Sequence, residues 1–319
     1  MGFPKPLKRG PLKRAGAHII QRIALSVMFM AGIINPFSLA RANAAEICDP
    51  AYHSHKVTYG EDAISRSFHV YSPERQELPM PVVFAFHDRT EDSFAWADHA
   101  RLSAYASLAN VIIVAPVGVG IKDLARPNSE KVLDWHFNAF EEENDSDAKE
   151  VNPDDIDLID AIVQLVDDAP CTSSERYLMG HGQGAELAMA AACRRPTLFR
   201  KVGVVGSTWY DGACVIAPQL MPAMAIQNAH DEVKPLSLVR ARIRNYALRN
   251  LCTDVTRRTN INWPSSRRYA FDCPEGAEVI FHELHYQNPI LGVTGHAWPT
   301  ISNSHRSATR ILFEFFGVL

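Results

Sequence analysis

Residues 176–195 read RYLMGHGQGAELAMAAACRR, and this stretch decides the fold. It begins with a short apolar run, residues 177–179, which is typical of a buried strand. A glycine-rich turn, Gly180-His181-Gly182-Gln183-Gly184, follows, and an alanine-rich run that favours a helix comes next. So tight a turn requires small neighbours, because larger side chains would clash. The stretch therefore predicts a strand–turn–helix unit with Gly182 at its centre.

The rest of the chain alternates between similar elements. Residues 155–167 carry apolar side chains at helical spacing, with Asp154 or Asp155 as the N-cap, and residues 307–316 predict a closing amphipathic helix. Short runs that are apolar on both faces predict buried parallel strands at 81–86, 111–115, 201–206, 224–227 and 279–284. This alternation predicts an α/β fold, a doubly wound and mostly parallel sheet with helices on both faces.

The N-terminal segment has the pattern of an export signal. A basic start is followed by an apolar stretch at 23–34 and by Ala42-Asn43-Ala44, which resembles a cleavage site. A membrane anchor is the alternative, but the apolar stretch is well short of the ~20 residues that a spanning helix needs. We therefore expect a signal peptide at 1–44, a mature domain at 45–319, a secreted or periplasmic location, and no integral membrane segment after cleavage.

The charge of the mature chain excludes some partners. Seven of the 32 Lys and Arg residues, and none of the 36 Asp and Glu residues, precede the expected cleavage, so the mature chain has a net charge of −11. Such a surface repels nucleic acid and anionic membranes.

The cysteine count is even, which in an exported chain predicts disulfides. No Cys-x-x-Cys pair or His/Cys zinc spacing occurs, so we expect neither a metal nor a cofactor. Order alone leaves the pairing open, and Cys193, in an alanine-rich run, is equally consistent with a buried free thiol. The six cysteines are Cys48, Cys171, Cys193, Cys214, Cys252 and Cys273.

Two polar residues after the glycine-rich turn are candidates for acid–base chemistry. Asp231 lies just beyond the strand predicted at 224–227, where sheet enzymes carry functional groups. His296 lies in Gly295-His296-Ala297-Trp298-Pro299, before the last helix. Either residue alone would more often be a solvated loop residue. Their order, an acid and then a histidine after the turn, matches the order in α/β-hydrolases.

With these motifs, the chain resembles the secreted polyhydroxybutyrate depolymerase and feruloyl esterase group of α/β-hydrolases. The turn at Gly182 resembles their G-x-S-x-G nucleophile elbow. The motifs that carry the resemblance are residues 68–73 (FHVYSP), 86–87 (FH), 115–116 (AP), 134–137 (DWHF), 176–177 (RY), 295–299 (GHAWP), 308–309 (AT) and 313–316 (FEFF).

The resemblance implies a site for an ester or polyester ligand. It implies that Asp231 is the triad acid and His296 the triad base, and that Cys252 pairs with Cys273. It also implies an oxyanion hole formed by the backbone N–H of Gln183 and by the loop at Asp88.

Two departures from the family lie at the chemistry. Gly182 replaces the serine nucleophile, and Asp88 stands where the family carries glycine. Without a side-chain oxygen no acyl-enzyme forms, and removing a triad nucleophile lowers kcat by ~10⁶. The Asp88 carboxylate either faces the developing oxyanion, which raises the barrier, or points away while its backbone serves.

We therefore predict an inactive or strongly impaired ester hydrolase in which Gly182→Ser restores at least ~10²-fold of activity. Two alternatives stay open: a working esterase that uses an activated water or an unseen nucleophile, and a non-catalytic binding protein on the same fold.

Tryptophans in loops and at strand ends suggest an aromatic rim around the ligand. Trp96, Trp135, Trp209 and Trp298 are all expected near the active face, and Trp135, Trp209 and Trp298 are the predicted substrate-binding residues. Ordinary half-buried packing is the alternative for each.

Overall fold

The computed structural model describes residues 44–60, 63–89, 91–121, 132–137, 154–208, 221–260, 266–286, 295–301 and 307–319. Nearly all of the expected signal peptide lies outside these residues, as do Trp209 and Cys214. Among the described helices, none combines the length and hydropathy needed to cross a bilayer.

A mixed sheet of ten strands forms the centre of the described structure, in the order β1-β2-β4-β3-β7-β8-β9-β12-β11-β10. The six central strands are parallel, and the pairs at both edges are antiparallel. The predicted fold class is confirmed. The strands are β1 (Ala51–Tyr59), β2 (Ile64–Ser72), β3 (Met80–Phe86), β4 (Ile112–Pro116), β5 (Val119–Ile121), β6 (Val132–Asp134), β7 (Thr172–His181), β8 (Lys201–Val205), β9 (Ala223–Asn228), β10 (Thr253–Asn260), β11 (Ser266–Asp272) and β12 (Val279–Leu284).

Helices cover both faces of this sheet. The helices are α1 (Ser93–His99), α2 (Leu102–Ala109), α3 (Asp155–Asp167), α4 (Gly182–Arg194), α5 (Leu236–Arg249) and α6 (Ala308–Phe316). Helices α3, α4 and α5 pack into one apolar core, and α1, α2 and α6 into another. Strand β3 supplies both cores, because Val82 and Phe84 face the first and Val83 and Ala85 face the second. This two-sided burial explains why β3 is apolar at every position.

The hairpins at the sheet edges are absent from the sequence prediction. Strand β1 alternates between exposed and buried residues along its second half. Antiparallel edge strands have one solvated face and therefore lack the continuous apolar run that marks a central strand. Helix α3, in contrast, has the predicted bounds, and the Asp154 carboxylate caps it by accepting the N–H of Ile156.

The predicted disulfide between Cys252 and Cys273 is confirmed, with 3.9 Å between the Cα atoms. A second bridge joins Cys48 to Cys171, close to the start of β7. Cys193 is also disulfide-bonded, so the free-thiol alternative for this residue is wrong. The bridges tie the segments before β1 and after α5 to the sheet.

Candidate active site

The turn between β7 and α4 has the geometry of a nucleophile elbow. Helix α4 begins at Gly182, whose φ of +52° lies in the left-handed region that glycine adopts at little cost. A Cβ on Gly180 would overlap the backbone of Gly184, and a Cβ on Gly184 would overlap the carbonyl of Phe86 at the end of β3. Glycine is therefore required where the turn packs against the neighbouring strand.

The Asp231 and His296 side chains meet beside this turn. Asp231 follows β9, and its Oδ2 lies 2.8 Å from Nδ1 of His296. The same carboxylate accepts hydrogen bonds from the Gln227 amide and from the backbone N–H groups of Val233 and Lys234. The Asp231 side chain is fully buried. Asp231 and His296 thus form a hydrogen-bonded acid–base pair, with the acid held on both oxygens.

The Asp88 carboxylate fills the space that a nucleophile would need. A Cβ built on Gly182 would overlap Oδ1 and Cγ of Asp88 and would lie 2.7 Å from its Oδ2. The Oδ2 atom lies 3.1 Å from Nε2 of His296, on the side opposite Asp231. The carboxylate therefore points into the site. This is the first of the two orientations that the sequence left open.

Both backbone donors expected to form the oxyanion hole are bound to carboxylates. The N–H of Gln183 donates to Oδ1 of Asp88 at 2.7 Å, and the N–H of Asp88 donates to Oε2 of Glu91 at 3.1 Å. An oxyanion hole works because its donors are free to bind charge that develops in the transition state. In this site those donors already hold permanent negative charges.

Hydrogen bonds to and from buried residues anchor the loop that carries Asp88. His87 is fully buried, and its Nε2 accepts the N–H of Gly118 while Nδ1 donates to the carbonyl of Asp88. The indole N–H of Trp135 donates to the carbonyl of His87. The Gln183 side-chain amide exchanges hydrogen bonds with the backbone of Trp135. These contacts fix the direction in which the chain leaves β3.

His181, the last residue of β7, contacts His296 directly. Its Nε2 donates to the carbonyl of His296 at 2.7 Å, and the two rings stack with centroids 5.2 Å apart. Its Nδ1 lies 2.8 Å from Oε2 of Glu91. Burial lowers the pKa of His181, but the Glu91 carboxylate raises it more, so the net shift is upward. The hydrogen-bonded His181–Glu91 pair therefore lies next to His296.

The two carboxylates keep His296 protonated. Burial lowers the pKa of His296, but the hydrogen bonds and charges of Asp231 and Asp88 raise it more, to about 9. Burial alone would raise the pKa of Asp88. Three opposing contacts lower it by more, so the net shift is downward: the hydrogen bond from His296, the charge of His181 and the N–H of Gln183. The pKa of Asp231 is also lowered on balance. At neutral pH His296 is an imidazolium between two carboxylates and is unable to accept a proton.

The described tryptophans near the site are buried. Trp135 and Trp298 are 2% and 1% exposed, and Trp298 packs edge-on against Trp96 and His181. These contacts hold the histidines in place, and the role of the tryptophans toward a substrate remains a prediction. Ser207, the hydroxyl after β8, is also buried and donates to Glu186, so it offers no exposed nucleophile.

Sequence reasoning missed Glu91 and the inward turn of Asp88. The signal available was the pair of acids at 88 and 91 directly after the strand-end histidine, in a loop where the resembling family carries glycine. Among the described residues, no group of three or more His, Cys, Asp and Glu side chains is arranged to hold a metal ion.

The mostly parallel sheet, the glycine turn after β7 and the adjacent Asp231–His296 pair fit an α/β-hydrolase fold. The chain belongs to the Esterase family, whose sequence model matches residues 64–267. No curated protein sequence matches it.

Solved structures support the same fold. An acetyl xylan esterase from Aspergillus awamori superposes with a TM-score of 0.57 at 13% identity, covering 84% of this chain and all of that one. A thermostable esterase superposes with a TM-score of 0.54 at 16% identity, covering 84% of this chain and 64% of that one. The poly(3-hydroxybutyrate) depolymerase LpqC from Bordetella parapertussis superposes with a TM-score of 0.43 at 18% identity, over 66% of this chain and 80% of that one. At these identities the first two superpositions show the fold alone.

Proposed function

We propose that this chain is an exported ester-hydrolase scaffold, similar to polyhydroxybutyrate depolymerases and feruloyl esterases, in which serine-type ester hydrolysis is lost or strongly impaired. One observation carries the proposal: the Asp88 carboxylate occupies the space of the missing serine side chain and binds the N–H of Gln183. The site therefore lacks the nucleophilic oxygen, a free oxyanion donor and a neutral base at the same time.

The activated-water alternative is disfavoured by the charge state of His296. A water molecule attacking an ester needs a base to accept its proton, and His296 with a pKa of about 9 is already protonated at pH 7. The Esterase family and the esterase structures favour an ester ligand for this site, and the sequence resemblance implies an ester or polyester.

The test combines turnover with labelling of the nucleophile. Purified wild-type protein should hydrolyse p-nitrophenyl butyrate and methyl ferulate with a kcat at least ~10³-fold below the lower end of the usual range of ~1–10³ s⁻¹. A fluorophosphonate probe, which labels activated serines, should leave the protein unmodified. A kcat within the usual range, or stoichiometric labelling of the wild type, would contradict the proposal.

The export part of the proposal has its own measurement. Secretion of the full chain should yield a product whose N-terminal residue is Ala45, because Ala42-Asn43-Ala44 is the proposed cleavage signal. A product that retains residues 1–44 in a membrane fraction would contradict a cleaved signal peptide.

A further inference from the structure

We propose that Asp88 is itself a nucleophile, which attacks the carbon of a small primary alkyl halide and forms an alkyl ester that water then hydrolyses. This activity goes beyond the proposed function, which concerns acyl esters. It starts from an observation that the loss of ester hydrolysis does not explain. The carboxylate at the nucleophile position is oriented on both of its oxygens, by Gln183 and by His296.

The position and the access of the carboxylate suit a nucleophile. Oδ2 of Asp88 lies 3.1 Å from Nε2 of His296. The oxygen of a triad nucleophile likewise lies within hydrogen-bond distance of its histidine. The Asp88 side chain remains 15% exposed and that of His296 11%, whereas the Asp231 side chain is fully buried. The lowered pKa of Asp88 keeps its carboxyl group ionised throughout the neutral pH range. Of the two acids on His296, only Asp88 is partly exposed.

The occupied donors select the type of electrophile. Attack on an ester carbonyl creates an oxyanion on the substrate, and the N–H groups of Gln183 and Asp88 that would bind it are held by carboxylates. Attack on a saturated carbon creates no such oxyanion, because the bonding electrons leave with the halide. Alkyl transfer is therefore compatible with the arrangement that opposes acyl transfer.

In the first step, Oδ2 of Asp88 bonds to the substrate carbon while the carbon–halogen bond breaks, and the halide leaves with the bonding electrons. The carboxylate becomes a neutral alkyl ester, so His296 loses one of the two negative charges that keep it protonated. The imidazolium then releases its Nε2 proton to solvent and becomes the base that the second step requires.

In the second step, His296 takes a proton from water, and the hydroxide attacks Cγ of Asp88. The oxyanion develops on Oδ1, which already accepts the N–H of Gln183. Collapse breaks the Cγ–Oδ2 bond, and the leaving alkoxide takes the proton from His296. The carboxylic acid then returns its proton to His296, so that one alkyl halide and one water yield an alcohol, a halide ion and a proton.

The experiment uses 1-bromobutane as the probe and follows bromide release and the mass of the intact protein. Wild type should release bromide over many turnovers. The His296→Gln variant should release one equivalent of bromide, and its later bromide release should be at least ~10²-fold slower than that of wild type. It should retain a butyl group on the peptide containing Asp88. Asp88→Asn should show neither release nor adduct, and Asp98→Asn, which removes an exposed carboxylate of helix α1, should match wild type.

Oxygen labelling tests the same step in the unmodified protein. In a single turnover in H₂¹⁸O, the butanol should carry unlabelled oxygen from Asp88, and the label should enter the Asp88 carboxylate. Labelled butanol in the first turnover, a butyl group on another residue, or no bromide release would overturn the inference. None of these results bears on the proposed function, since ester turnover is measured separately on p-nitrophenyl butyrate.

Discussion

Two carboxylates flank His296, and they differ in almost every other respect. The Asp231 side chain is fully buried and accepts three hydrogen bonds besides the one from His296. The Asp88 side chain is 15% exposed, and its described hydrogen bonds come from Gln183 and His296 alone. Asp231 is hydrogen-bonded to Nδ1 of the imidazole, and Asp88 is hydrogen-bonded to Nε2. Under the proposed function, Asp231 belongs to the acid half of an esterase site, and Asp88 replaces its nucleophile half.

The largest expected effect comes from repairing the nucleophile half. Asp88→Gly combined with Gly182→Ser should raise hydrolysis of p-nitrophenyl butyrate by at least ~10³-fold over wild type, since a nucleophile contributes up to ~10⁶. The double change supplies the oxygen, clears its space and frees the N–H of Gln183. Steady-state kinetics with fluorophosphonate labelling measures the gain, and an inactive but folded double variant would contradict it.

Gly182→Ser alone should gain less than ~10-fold, which revises the ~10²-fold expected from sequence. The new Cβ would overlap Asp88, and serine would also have to adopt the φ of +52°. A single variant as active as the double variant would show that Asp88 moves aside freely.

The acid half becomes testable once the double variant turns over. Adding Asp231→Asn should lower its kcat by ~10²–10⁴, because the amide no longer stabilises the imidazolium and favours the wrong tautomer of His296. Asp160→Asn, which changes a carboxylate paired with Arg195 away from the site, is the matched control. Equal losses in both variants would indicate a general effect on folding.

The charge on Asp88 should be visible in the titration of His296. Asparagine keeps the shape and removes the charge, so Asp88→Asn should lower the pKa of His296 from about 9 toward its ordinary value of ~6.5. Two-dimensional NMR of ¹⁵N-labelled histidine rings measures both values. An unchanged pKa would show that Asp231 alone holds the proton.

The smallest expected effect is on stability. Because the pKa of His296 is raised in the folded state, its contribution of ~1–3 kcal/mol is fully present below pH ~6.5 and is lost as the pH rises through about 9. The lowered pKa values of Asp88 and Asp231 act in the opposite sense, and their contribution is lost as the pH falls below ~4. Thermal unfolding between pH 6 and 10 should show a decline in wild type that is smaller in Asp88→Asn.

The sequence by itself determined the elements whose signal is local. The elbow at Gly182, the buried parallel strands and helix α3 follow from short-range patterns, since glycine spacing and continuous apolar runs report directly on tight turns and two-sided burial. The order of Asp231 and His296 after the elbow also marked them as partners, and the tertiary structure brings them to 2.8 Å.

Only the tertiary structure decided which way the Asp88 carboxylate points. The sequence showed an acid in place of a glycine, but the groups that attract this acid lie far along the chain: Gln183 is 95 residues away and His296 is 208 residues away. The space it fills exists because Gly182 has no side chain. A carboxylate turns toward hydrogen-bond donors and positive charge. The neighbouring cation, Arg89, pairs with Asp134 instead, so the direction of the Asp88 carboxylate is a property of the folded site.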